Sequence, residues 1–215
     1  MIHLDSLGFD CISLSRSGEA PVGRGMICDL RDEASIGDAF KIIAASGPIV
    51  GLVNNAGLHT DAVSAHLSAA AFEESIRINA TGPLVAAREA YPYLKASQGS
   101  IINIGSFYDK LGVPRNVSYC AAKAALGAIT RCLAVEWAAD GIAVLNVAPG
   151  YIKTDLNREF MAKDAIQSWL GKRIPGGVPG EPEDVARVVG AVMQMDVRFL
   201  TGETIYVDGA HGINN

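Results

Sequence analysis

The chain has 215 residues, 49% of them hydrophobic and 23 of them glycine, enough for one well-packed α/β domain and too few for two of usual size. Asp and Glu number 23 against 18 Lys and Arg, and the net charge of −5 is spread along the chain, so there is no basic field for a polyanion and nucleic acid is excluded as an expected partner. No apolar run approaches the roughly 20 residues a bilayer requires, the opening MIHLDSLG has no charged segment ahead of an apolar one, and Cys11, Cys28, Cys120 and Cys132 sit in apolar runs with no metal-ligand spacing. A reduced, cytoplasmic protein without a metal is the expectation.

In chain order, short Ile-, Val- and Leu-rich runs alternate with amphipathic stretches. Residues 11–14 and 25–28 read as the first two strands, 32–46 as a helix and 49–54 as a third strand. A long helix is expected over 69–96, then a strand over 100–104 and a helix over 117–139, where Ala122, Leu126, Ile129, Leu133 and Trp137 trace one apolar face. Gly141 is a stop signal. A strand over 142–147, a helix over 182–195 and a strand over 204–207 follow, while GKRIPGGVPGEP reads as an exposed loop. Alternation of this kind implies right-handed βαβ units, hence a Rossmann-like, doubly wound parallel sheet in a single α/β domain.

Ligands of such sheets bind at the carboxyl ends of the strands. There the chain carries Asn54, Asn55, Ala56 and Gly57, then Ser106, then Pro149, Gly150 and Thr154. On a helix opening near Val117, Tyr119 and Lys123 are neighbours one turn apart. A cation about 5 Å from a phenol, at an effective dielectric of about 20, favours phenolate by about 3 kcal/mol, roughly two pKa units. Tyr119 is then expected to be an acid or base usable near neutrality. Taken alone, the pair also suits an ordinary solvated helix.

Ser106, Tyr119 and Lys123, preceded by NNAG and followed by PG, resemble the classical short-chain dehydrogenase/reductase family, and the resemblance runs from GFDCISLSRS through CDLRD, GLVNNAG, RINATG, NIGS, SYCAAK, VAPGYIKTD and GEPEDVA to LTGETIYVDG. It implies hydride exchange between a nicotinamide dinucleotide and an alcohol or carbonyl carbon. It makes Tyr119 the general acid/base, Ser106 the holder of the substrate oxygen and Lys123 a partner of both Tyr119 and the nicotinamide ribose. Asn79 would keep a water behind Lys123. The same resemblance implies cofactor contacts from Arg16, Asp29, Leu30, Asn55, Ala56, Gly57, Tyr119, Lys123, Pro149, Gly150, Ile152 and Thr154. For Thr154, capping a helix that begins near Asp155 is an equal reading. Ser15 followed by Arg16 after DCISL suits a 2′-phosphate, so NADP(H) is favoured over NAD(H). A homodimer or homotetramer is the expected assembly, with a small alcohol or carbonyl compound as substrate. Residues 152–175, where the family shapes its substrate pocket, mix Phe160, Met161 and Trp169 with Lys163, Lys172 and Arg173 and favour no substrate class.

One departure from the family is expected to matter. MIHLDSLG resembles the end of the family's first helix, and neither GEAPVGRG nor IPGGVPGEP lies between a strand and a helix as a pyrophosphate-binding turn must. An N-terminal truncation that removes the first strand and the Gly-rich turn, about 25 to 30 residues, is therefore expected, with two strands left without a neighbour. Either Met1 is an internal methionine of a longer frame, or the chain is a catalytically impaired remnant serving as a non-catalytic oligomer subunit.

Overall fold

The computed structural model describes residues 1–154, 157–195 and 199–214. Its elements are α1 (Ile2–Ser6), β1 (Ile12–Ser15), β2 (Arg24–Ile27), α2 (Glu33–Ala44), β3 (Gly51–Asn54), α3 (Ala69–Ile76), α4 (Gly82–Ser97), β4 (Ser100–Ile104), α5 (Val117–Trp137), β5 (Ala143–Pro149), α6 (Arg158–Met161), α7 (Asp164–Arg173), α8 (Pro182–Gln194) and β6 (Thr204–Val207). All strand pairs are parallel. They form a two-stranded sheet, β1-β2, and a four-stranded sheet, β3-β4-β5-β6. Among the described residues no strand lies between β1 and β3, so each has a single neighbour.

The period-2 alternation of strands decides the layers. Ile101 and Val144, paired across β4 and β5, point to a cluster built with Ile36 and Phe40 of α2, Ala90 and Leu94 of α4 and Leu133 of α5. The next pair, Ile102 and Leu145, points to the opposite face, against Val189 and Val192 of α8. Leu14 of β1, Met26 of β2 and Leu52 of β3 all pack on the first cluster, so one helical layer serves both sheets. A Rossmann-like α/β fold results.

The expected helix over 69–96 is two helices joined by a π-helical turn, Arg77–Thr81. Pro83 at the start of α4 has no N–H to give the preceding turn, and a wider turn absorbs the defect. The helix expected to begin near Asp155 falls outside the described residues; α6 begins at Arg158.

At one level of the larger sheet the strands carry Asn54, Asn103, Asn146 and Thr204 in register. Asn54 Nδ2 donates to Asn103 Oδ1 at 2.8 Å, Asn103 Nδ2 to Thr130 Oγ1 of α5 at 2.9 Å, and Asn146 Nδ2 to Thr204 Oγ1 at 3.2 Å. These bonds support the strand register at both ends of the row and tie the sheet to α5, while Asn146 Oδ1 is buried without a partner among the described residues. Gly105 follows β4 because nothing larger fits: a Cβ there would stand 2.5 Å from Asn146 Oδ1. Gly105→Ala is expected to lower stability by about 2 kcal/mol through overpacking, read as a reduced midpoint in urea unfolding.

Candidate active site

Three elements bring the four expected catalytic residues to one end of the larger sheet. Ser106 leaves β4 in extended conformation, and its Oγ accepts from the Tyr108 amide at 3.3 Å, capping the short turn Phe107–Asp109. This serine thus caps a turn at the end of a strand and also hydrogen-bonds with the Tyr119 side chain. Tyr119 and Lys123 lie on the first turns of α5, and Asn79 lies in the π-helical turn before α4.

Lys123 is only 4% exposed. Its Nζ donates to the carbonyl of Ile104, the last paired residue of β4, at 2.7 Å, and stands 5.6 Å from the centre of the Tyr119 ring. Burial, which penalises the ammonium, pushes its pKa down to about 8. Tyr119 departs from the expected acid. Burial raises its pKa, and the neighbouring Ser106 hydroxyl only partly opposes the rise. The i, i+4 spacing predicts proximity to the ammonium correctly, but it carries no information on desolvation. Here desolvation sets the direction.

Asn79 is wholly buried. Its Nδ2 donates to the Leu58 and Ser75 carbonyls at 2.8 and 3.0 Å, and its Oδ1 accepts from the Leu58 amide at 3.1 Å. It thereby clamps the segment that follows β3. A Cβ on Gly57 would stand 3.0 Å from Asn79 Oδ1 and 3.8 Å from Lys123 Nζ, so glycine keeps an open surface beside the ammonium. Asn55 and Ala56, next to Gly57, are exposed.

The remaining predicted residues form two further groups. Pro149 ends β5, the Gly150 amide donates to the Val207 carbonyl at 3.0 Å, Ile152 makes a bridge with Gly180, and the Thr154 amide donates to Asn157 Oδ1 at 2.8 Å. Arg16 and Asp29 follow β1 and β2, and Arg16 is one of the cations that hold the Asp29 carboxyl below its usual range, after the Arg31 amide and the Arg31 guanidinium. Leu30 is half-buried and packs against the core, where a Cβ on Gly82 would stand 3.0 Å from its own.

Besides Trp169, which lies in the expected pocket segment, the site holds residues that the sequence did not single out. The Tyr108 and Tyr151 hydroxyls hydrogen-bond at 2.9 Å, Tyr108 meets Tyr119 edge-on at 6.0 Å, and Trp169 meets Tyr151 edge-on at 5.4 Å. These rings form a connected aromatic group beside Tyr119. His59, two residues after Gly57, stands edge-on to Tyr119 with ring centres 4.8 Å apart. A histidine so close to a candidate strand-end motif was the available signal.

Comparison with known proteins identifies the family. The family model described as enoyl-(acyl carrier protein) reductase matches residues 11–211. The inactive 2-(S)-hydroxypropyl-CoM dehydrogenase 2 of Xanthobacter autotrophicus is 34% identical over 197 residues, covering 86% of this chain and 83% of that protein. The 3-oxoacyl-[acyl-carrier-protein] reductase MabA of Mycobacterium bovis is 33% identical over 203 residues, covering 93% and 81%. The crystal structure of a gluconate 5-dehydrogenase from Burkholderia cenocepacia, in complex with NADP and tartrate, superposes with a TM-score of 0.82 at 30% identity, covering 87% of this chain and 74% of the other. With the match of the family model, these relatives and the parallel sheet that presents Ser106, Tyr119 and Lys123 together, the chain belongs to the classical short-chain dehydrogenase/reductase family of oxidoreductases.

Proposed function

We propose that the chain exchanges a hydride between NADP(H) and a small alcohol or carbonyl compound, with Tyr119 as the proton donor and acceptor. The observation that carries this reading is the buried Lys123 ammonium, one turn from Tyr119 and beside the open face of Gly57.

The residues fit the nicotinamide half of the cofactor. An ammonium has three N–H groups, and the Ile104 carbonyl takes one. The others are available to ribose hydroxyls over Gly57. The cofactor would supply the hydride; this chain supplies position and protons. In reduction, Ser106 Oγ–H and Tyr119 Oη–H donate to the carbonyl oxygen. As that oxygen gains charge, the Tyr119 proton passes to it, and Lys123 stabilises the phenolate left behind. Donors held at the site of charge development favour the transition state over the ground state. Asn79 holds the Leu58 backbone and, with it, the Gly57 surface. For the pyrophosphate half no described residue forms a Gly-rich turn between a strand and a helix N-terminus.

Arg16 at the end of β1, with no carboxylate in salt-bridge contact among the described residues, suits a 2′-phosphate. Arg16→Ala is expected to raise KM for NADPH about tenfold, the worth of one exposed charge-assisted hydrogen bond, and to leave KM for NADH unchanged; initial rates with both cofactors check this. Val135, 80% exposed, shares the outer face of α5 with exposed Ala124 and Ala128, which suits a helix-to-helix dimer. No described helix is long and apolar enough to cross a membrane.

The test is turnover by the purified chain of carbonyl compounds with NADPH and NADH: polyol-derived ketones, sugar acids, 3-oxoacyl thioesters and simple ketones. A second reading, a non-catalytic subunit, is favoured by the unpaired inner edges of β1 and β3 and by a relative named as inactive. Absence of turnover and of NADPH binding in titration calorimetry, with a defined oligomer in light scattering, would select it.

A further inference from the structure

The loop after β3 reaches across to the backbone that opens α5, and three contacts join them. His59 Nε2 lies 2.6 Å from Asn116 Oδ1, although the two residues are 57 positions apart. The Ala62 amide donates to the Arg115 carbonyl at 2.8 Å, and Arg115 Nε donates to Asp61 Oδ2 at 2.9 Å. Arg115 itself sits in the left-handed backbone region at φ 68°, which a residue with a Cβ adopts only where its surroundings over-determine it. The next residue, Asn116, is the N-cap of α5, and its carbonyl accepts the Cys120 amide at 2.9 Å. Tyr119 is thus held in a turn whose first residue is anchored from the other side of the site.

The hydrogen-bond roles follow from the amide. Asn116 Nδ2 donates to the Pro114 carbonyl at 2.9 Å, which leaves Oδ1 facing the imidazole, so Nε2 must carry the proton. With Nε2 fixed in this way, the imidazole stands edge-on to Tyr119, rings at 83° and centres 4.8 Å apart. Ser106 and Lys123 meet the phenol from β4 and from α5 itself, and His59 meets its ring from the loop that carries Gly57.

We infer that His59 is a positioning residue: through its Nε2–H bond to Asn116 it fixes the first turn of α5 and the orientation of the Tyr119 ring, coupling the cofactor-side loop to the general acid. This rests on the catalytic reading of Tyr119, so the test pairs turnover with a measurement that needs none. Tyrosine labelled with carbon-13 at Cζ gives a resonance for Tyr119, assigned by its loss in Tyr119→Phe. In His59→Ala and His59→Asn that resonance is expected to shift, and kcat to fall about tenfold with KM for NADPH unchanged. His59→Gln, whose amide nitrogen reaches the place of Nε2, is expected to restore both. A merely space-filling histidine would be replaced equally well by either amide. An unmoved Tyr119 resonance in His59→Ala, or a His59→Asn variant as good as His59→Gln, overturns the inference. If wild type and Tyr119→Phe turn over alike, or neither does, the catalytic reading fails, and the resonance alone then decides whether His59 orients the ring.

Discussion

Tyr119→Phe is expected to lower kcat about a thousandfold, the usual worth of a positioned general acid, while the protein folds as before. The fold should survive because the ring makes the packing contacts: its edge-on partners are His59 and Tyr108, and phenylalanine keeps both. What disappears is one oxygen beside Ser106. The raised pKa of the phenol sharpens this expectation. A phenol held above its ordinary value is fully protonated at neutral pH, which suits it to give a proton during reduction and handicaps it as a base in alcohol oxidation. Wild-type reduction should therefore proceed at pH 7, with oxidation favoured only at higher pH. Rates of NADPH consumption and formation across pH, for wild type and Tyr119→Phe side by side, check both statements. A variant that retains wild-type turnover would remove Tyr119 from the chemistry.

Short Ile-, Val- and Leu-rich runs bounded by turn residues located the strands. Ser100–Ile104 and Thr204–Val207 are found at their expected bounds. β1 and β2 begin or end a residue away from expectation, since each lies in a two-stranded sheet where pairing ends are set by the partner and by little else. The joint at Arg77–Thr81 was missed because apolar periodicity is blind to a widened turn, although Gly82 and Pro83 marked the place. α7 was missed for another reason: it buries only Leu170 among its fully described core contacts, so its sequence carries no apolar stripe. In the site, Tyr119 and Lys123 were readable from their spacing, and Ser106 and Asn79 through the resemblance of their motifs to the family. His59, Asn116 and Tyr151 were not, because their contacts join segments that only the folded loops bring together. The direction of the Tyr119 shift was misread for the same kind of reason. Helical spacing fixes a distance along one element, whereas desolvation depends on what every other element covers.

Lys123→Met gives the second large effect, and it separates catalysis from stability. Removal of the ammonium should lower kcat at least about a hundredfold, since the phenolate that would form as Tyr119 gives up its proton loses the cation beside its ring. KM for NADPH should rise as well, because the ribose loses a donor. Stability should change in a different way. In the folded chain the Lys123 pKa is about 8, against 10.5 for a free lysine, so the unfolded state binds more protons between these values. Stability therefore rises with pH through that window: the cost of burying the charge is present in full below pH 8 and is relieved as pH approaches 10.5. The gap corresponds to about 3 kcal/mol at most. Methionine fills the same space without a charge, so the variant should show no such rise. At pH 7 the two proteins should be similar in stability, because the variant escapes the desolvation cost but leaves the Ile104 carbonyl without its donor. Urea midpoints measured from pH 7 to pH 10 for both proteins isolate Lys123, since the other phenols and thiols titrate in each and cancel in the difference. A variant whose midpoint climbs in parallel with the wild type would show that the folded chain holds this lysine with an ordinary affinity for protons.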